Sequence, residues 1–423
     1  MEINISSSSH PRVVIIGGGF SGLAIVRELL NKNFQIVLID KNNYHQFQPL
    51  LYQVATSSLE PTSISMPLRR IFKGYSEFHF IMAEVDSINT DKSIIHTNEG
   101  YISFDYLIIA AGTDTNYFGM DDIKENSLPL KSISEALGLR NSLYINLEKA
   151  NIITSNKEKQ PYLNFVIVGG GATGVELAGA FAELKSKIIP KDFPSLDTSL
   201  IHIYLLNATD RLLEAYCKRL SNKALLDLKK MGVEVMLNCK VQNYDGKVLT
   251  YNDTNHIETR TFIWASGVIA NKFEGIDATD RGRRILTNEY CKVYNNSKDR
   301  VYDNIFAIGD IAIIKDYPLP QIAQVAIQEG RYVADLISKR TTLPFKYINK
   351  GSMATIGRNR AVAQIGKYSF GGFFAWILWL FVHLMYIVGF RNRLWVLWDW
   401  GWNYIAEDQP LRAIIIANRK KHE

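Results

Sequence analysis

Residues 11–40, PRVVIIGGGFSGLAIVRELLNKNFQIVLID, constrain the fold more than any other stretch of this chain. Val13 to Ile16 read as a strand, Gly17 to Gly19 as a turn, and Leu23, Val26, Leu29 and Leu30 as one face of a helix. A second apolar run then ends on Asp40. Gly17 permits a turn that a side chain would obstruct, Gly19 lets the backbone approach a pyrophosphate, and Gly22 allows close helix–strand packing. The phosphates would rest on free N–H groups at the positive end of the helix, with Asp40 accepting from the adenosine ribose hydroxyls. Strand, turn, helix and acid in this order are the context that turns a bare glycine motif into a dinucleotide site.

The pattern returns about 150 residues later. In NFVIVGGGATGVE, at 164–176, Phe165 to Val168 form the strand, and Gly169, Gly171 and Gly174 keep the same spacing. LIHIYLLN supplies the second strand and ends on Asn207. Two fingerprints in context imply two dinucleotide sites. FIWASG at 262–267 echoes Ala110, Ala111 and Gly112, so the second domain reads as an inserted relative of the first. Short strands fill 78–109, a helix 132–149, and TSNKEKQP reads as a polar linker. Residues 41–72 are rich in aromatics, Gln, Ser and Pro; a ligand cover and a plain connection both fit that composition.

Further candidates lie beyond. NIFAIGD at 304–310 ends a strand on Asp310, an acid that can reach the ribityl or phosphate end of a flavin. Gln324 and Gln328 follow, four apart and on one helical face, which in isolation is usually a solvated surface. Glu176 falls early in the second helix, too early for a buried core residue. By position it reads as a first-turn acid on the helix dipole.

At 423 residues the chain can hold two or three domains. The net charge of +6 is modest and spread along the chain, against a nucleic-acid partner. Cys217, Cys239 and Cys291 are far apart and odd in number, which fits free thiols and supports neither a dithiol centre nor a metal site. The polar start MEINISSSSHPR lacks the apolar core of a secretory signal.

With both glycine units, the Gly-Asp strand, FQPLLYQVAT (47–56), GGGATGVELAG (169–179), AQVAIQ (323–328) and HLMYIVGFRNR (383–393), the chain resembles the type II NADH dehydrogenases. These are single-chain, non-proton-pumping NADH:quinone oxidoreductases of the two-dinucleotide-binding-domain flavoprotein superfamily. The resemblance implies an α/β fold with two Rossmann-like domains and a C-terminal membrane-associating helical segment. It implies a discontinuous FAD domain (1–115 and 285–340), an NAD(P)H domain (116–284) and a C-terminal domain (341–423). Gly17, Gly19, Gly22, Asp40 and Asp310 would hold FAD, with Thr56, Ala111 and Gly112 nearby. Gly169, Gly171 and Gly174 would meet the NADH pyrophosphate, Glu176 would lie by flavin and nicotinamide, and Gln324 and Gln328 would face the quinone. A homodimer on the cytoplasmic face of the inner membrane is also implied. Asn207 departs from the family's ribose-binding acid. A carboxylate there would repel a 2′-phosphate and an amide would not, so NADPH use is expected to be less excluded, unless Asp210 restores the charge.

Phe373 to Phe390 is the most apolar stretch, at the low edge of spanning length and interrupted by His383. Trp395, Trp398, Trp400 and Trp402 follow, and Arg419 to Lys421 end the chain's basic content. A buried helix, a single span and a monotopic helix pair compete, and the monotopic pair is favoured. Rival functions are a sulfide:quinone or other FAD-dependent pyridine-nucleotide oxidoreductase, and a membrane-docked NAD(P)H-binding sensor. The sulfide reaction needs a cysteine pair beside the flavin, which the cysteine spacing does not supply.

Overall fold

The computed structural model describes residues 1–277, 279–280, 282–297, 299–409 and 411–415. The chain forms two compact units: 1–45, 66–114 and 268–349 in one, and 46–65, 115–267 and 350–423 in the other.

In the first unit the strand Arg12–Ile16 is central to a parallel run. Gln35–Asp40 pairs on one side of it and Tyr106–Ile109 on the other, with Phe78–Met82 and Val301–Ala307 beyond them. Its Val13 to Ile16 are buried on both faces, which explains the unbroken apolar run. Because successive strands are added to opposite sides of Arg12–Ile16, the sheet reverses its order there, and a crevice opens at the strand's carboxyl end. Gly17 sits at that point.

The second unit repeats the plan. Asn164–Val168 is flanked by His202–Leu206 and Thr261–Trp264, all parallel, with Val233–Met236 and Leu128–Pro129 at the edges. The stretch expected to be a polar linker is instead the helix Asn156–Leu163. Ser155 caps it by accepting from the Glu158 N–H, so the S-x-x-E start signal outweighs the polar composition and Pro161. The same unit holds the antiparallel strands Ser352–Gly357, Arg360–Ile365 and Tyr368–Gly371.

Two helices close the described chain, Phe373–Tyr386 and Phe390–Ala406. The apolar run is therefore split: Ile387 is extended and Gly389 has φ 91°, a left-handed conformation that suits glycine. The first of these helices, 14 residues long, reaches only about 21 Å. Among the described residues no helix is long and apolar enough to cross a membrane. The basic cluster Arg419 to Lys421 lies outside the described residues.

Candidate active site

The two glycine turns have the same internal construction. Gly17 (φ 103°) and Gly169 (φ 120°) both turn in the left-handed region, and a Cβ on either would press on a backbone carbonyl, of Ala110 or Ala265, at 2.5 Å. Gly22 and Gly174 each pass so close to the turn that a Cβ would overlap the carbonyl oxygen of Gly17 or Gly169. The third role is thus closure of the turn on itself as much as helix–strand packing. Gly19 and Gly171 are the N-caps of the helices Phe20–Leu29 and Ala172–Glu183, neither with a side-chain cap, and open space lies over both. Uncapped first-turn N–H groups facing open space are what an anionic diphosphate requires.

Asp40 locks the first turn. One carboxylate oxygen accepts from Gly18 N–H at 2.6 Å and the other from Asn42 N–H at 2.7 Å. Burial still raises its pKa. His45, which sequence reasoning missed, buttresses the same turn: its Nδ1 lies 2.9 Å from the Gly18 carbonyl oxygen. A carbonyl only accepts, so Nδ1 carries the hydrogen, and burial holds the ring neutral with a pKa of about 4. In the second unit Asn207 takes the place of Asp40. Its Oδ1 accepts from Gly170 N–H, and its Nδ2 donates to Thr209 Oγ1 and the Arg211 carbonyl.

Asp310 lies just past Val301–Ala307, in the short turn Gly309–Ile311, and its carbonyl accepts from Gln321. Gly309 N–H is held by Glu329 at 2.6 Å, a second residue absent from the sequence reading. Burial drives the Glu329 carboxyl up to about 8. It lies on the face of the helix Ala323–Ile337 that also buries Val325, Ala326 and Val333, and that spacing could have found it. Gln328 is not a free amide: it donates to and accepts from the backbone of Ile348, at 2.9 and 3.0 Å. Gln324, one turn earlier, is half-buried. Gly112 faces open space, and the Ala111 carbonyl accepts from Asn271.

Glu176 corrects the sequence reading. It is buried, because the helix Ala172–Glu183 is enclosed nearly all round and not only past its first turn. One carboxyl oxygen accepts from Thr355 N–H at 3.3 Å, and burial raises the pKa to about 8. Thr56, also in this unit, is fully buried and donates its hydroxyl to the Tyr52 carbonyl.

The C-terminal helices are two-faced. Inward, Trp379 is buried, Trp400 Nε1 donates to Gln53 Oε1 at 2.8 Å, and Asn392 and Asn403 donate to the carbonyls of Ser65 and Ser58. Outward, Phe374, Phe381, Phe390 and Trp398 are each more than 60% exposed, a continuous apolar stripe on both helices. Trp400 thus belongs to the packed face, unlike Trp395, Trp398 and Trp402. His383 does not interrupt the outer face either: it stacks on Trp379 with ring centroids 4.0 Å apart.

Residues 11–330 match the pyridine nucleotide-disulphide oxidoreductase family, and 349–406 match the NDH2 C-terminal domain. The chain is 37% identical to the type II NADH:quinone oxidoreductase NdhA of Mycobacterium tuberculosis, over 95% of this chain and 89% of that protein. The chain belongs to the type II NADH:quinone oxidoreductases. The Ndh enzyme of the same organism is 34% identical over 93% of the chain and 88% of its own length. The structure of Plasmodium falciparum NDH2 in complex with NADH shares the fold, with a TM-score of 0.87 at 21% identity over 96% of this chain and all of that one. The fold alone does not separate this family from its neighbours, since the sulfide:quinone oxidoreductase of Aquifex aeolicus also matches, at 0.71. All three cysteines of this chain are free, and Cys239 and Cys291 are buried.

Proposed function

We propose that this chain oxidises NADH and reduces a membrane quinone through FAD, without pumping protons. The observation that carries the reading is the pair of open, uncapped glycine cradles, one in each unit, at the carboxyl ends of central parallel strands. FAD, when bound, supplies the two-electron chemistry that links hydride oxidation to quinone reduction.

The first cradle suits FAD. Gly17, Gly19 and Gly22 would present backbone N–H groups to its diphosphate, Asp40 would face its ribose, and Asp310 with Gly112 and Ala111 would line its far end. Thr56, with its hydroxyl committed internally, would act by fixing the end of its helix. The second cradle suits NADH, with Gly169, Gly171 and Gly174 under the diphosphate and Asn207 at the ribose. Glu176, uncharged at neutral pH, would orient the nicotinamide carboxamide or hold the proton that the reaction needs. Gln324 would offer its amide to a quinone carbonyl. Gln328, bound at both ends to Ile348, would hold the helix start and not touch the quinone directly.

The exposed aromatic stripe on the last two helices supports monotopic docking on one leaflet, at the cytoplasmic face of the inner membrane, where quinone is drawn from lipid. A homodimer is part of the same proposal.

Anaerobic addition of NADH to the holoenzyme, followed by a short-chain quinone, tests both halves. The flavin absorbance should bleach and then return rapidly. Bleaching without return would reject the quinone and favour a sensor or another acceptor.

A further inference from the structure

The Trp379 side chain is a large buried group that the proposed reaction does not use. It is 1% exposed, and its indole Nε1–H has no hydrogen-bond acceptor, a costly state for a buried donor. The Glu176 carboxyl is the acid on which this N–H acts, favouring the ionised form, although the two make no hydrogen bond. Behind the indole, His383 stacks at 4.0 Å and 24°, and its Nδ1 lies 2.8 Å from the Trp379 carbonyl oxygen. Since that carbonyl can only accept, Nδ1 carries the hydrogen and the ring is neutral, in keeping with a pKa lowered to about 4 by burial. Tyr52 packs edge-on against the same indole, with centroids 6.5 Å apart. The indole plane is thus clamped from two sides.

The groups that face Glu176 are few. Thr355 N–H comes from the strand Ser352–Gly357, Tyr52 from the helix Leu51–Ala55, and Tyr216 from the loop before the helix Lys218–Lys230. Both phenols resist ionisation, partly because of Glu176 itself. Glu183, further along the same helix, has its own partners in Arg358 and Lys187. Among the described residues no cation acts on Glu176. A carboxylate formed there would have one long backbone hydrogen bond and one unused donor, that of Trp379.

We propose that Trp379 is a positioning residue for Glu176: its clamped indole N–H is the donor that closes on the carboxylate when the proton leaves, and so sets the pH at which Glu176 ionises. The inference rests on Glu176 being the carboxyl at the nicotinamide. In the structure the two make no hydrogen bond, and deprotonation draws them together. Hydrogen bonds to a charged acceptor are about twice as strong as neutral ones, so the indole discriminates between the two states of the acid.

The test is an infrared titration of the holoenzyme, following the carboxylic-acid C=O band that Glu176→Gln removes, beside the pH profile of kcat. Trp379→Phe deletes the N–H and should move the band's midpoint upward by about one pH unit or more, with the kcat profile following and KM for NADH little changed. Should Trp379→Phe fail to fold, benzothienylalanine at position 379 keeps the bicyclic shape and replaces only the N–H with sulfur. An unmoved midpoint in whichever of these variants folds overturns the proposal. If Glu176→Gln removes the band but leaves the kcat profile intact, the role of Glu176 in turnover is what fails, while the midpoint shift still judges Trp379.

Discussion

Asn207 Oδ1 accepts from the Gly170 N–H at 2.9 Å, just as Asp40 Oδ2 accepts from Gly18 at 2.6 Å. An amide and an acid therefore perform the same structural task, and only their charge differs. Asn207→Asp keeps the bond to Gly170 but loses the donors to Thr209 and Arg211, at a cost of about 1–2 kcal/mol. The new charge should repel a 2′-phosphate, so kcat/KM for NADPH should fall at least about tenfold relative to NADH. Steady-state kinetics with both nucleotides check this, and an unchanged ratio would mean that Asn207 does not read the ribose.

Gly171 and Gly174 separate fold from binding. At Gly171 a Cβ meets nothing, so Gly171→Ala should leave Tm within about a degree while raising KM for NADH about tenfold or more, because the methyl would occupy the diphosphate's place. At Gly174 the Cβ would overlap the Gly169 carbonyl, so Gly174→Ala should lower Tm outright. Thermal melts beside NADH kinetics distinguish the two.

Glu176 and Glu329 make stability fall as pH rises. Both carboxyls are pushed from 4.5 to about 8, so between those values the folded state holds protons that the unfolded chain has released. Their contribution is intact below about pH 4.5 and is lost progressively up to about 8. Glu329→Gln keeps an acceptor for Gly309 without the buried charge, and at pH 9 it should stabilise the holoenzyme by up to about 5 kcal/mol, with little gain at pH 5. Denaturant melts at the two pH values provide the comparison.

Trp398 and Trp400 sit two residues apart with opposite duties. Trp398→Ser, on the exposed stripe, should weaken sedimentation with anionic vesicles several-fold and leave Tm unchanged. Trp400→Phe removes the donor to Gln53 and should lower Tm while vesicle binding persists. The reverse pattern would place the lipid-facing surface elsewhere.

What the sequence determined by itself was everything encoded by neighbours along the chain. Strand, glycine turn, helix and terminal acid are local, so both nucleotide units, the matching loops and the apolar C-terminal run could be read from 11–40, 164–207 and 373–390. Only the tertiary structure decided burial and partnership. Nothing near Glu176 in sequence reveals that the fold buries it, which keeps it protonated, or that Thr355 and Trp379, about 180 and 200 residues away, are the donors that oppose this. Gln328 reads as a free surface amide until Ile348 is seen to occupy both its ends. Trp398 and Trp400 are the same residue type in the same run, and the bond to Gln53 with the ring contact on Trp379 makes one of them internal. The physical reason is common to these cases. A side chain's charge state and availability depend on desolvation and on the donors that reach it, and both are set by residues distant in sequence.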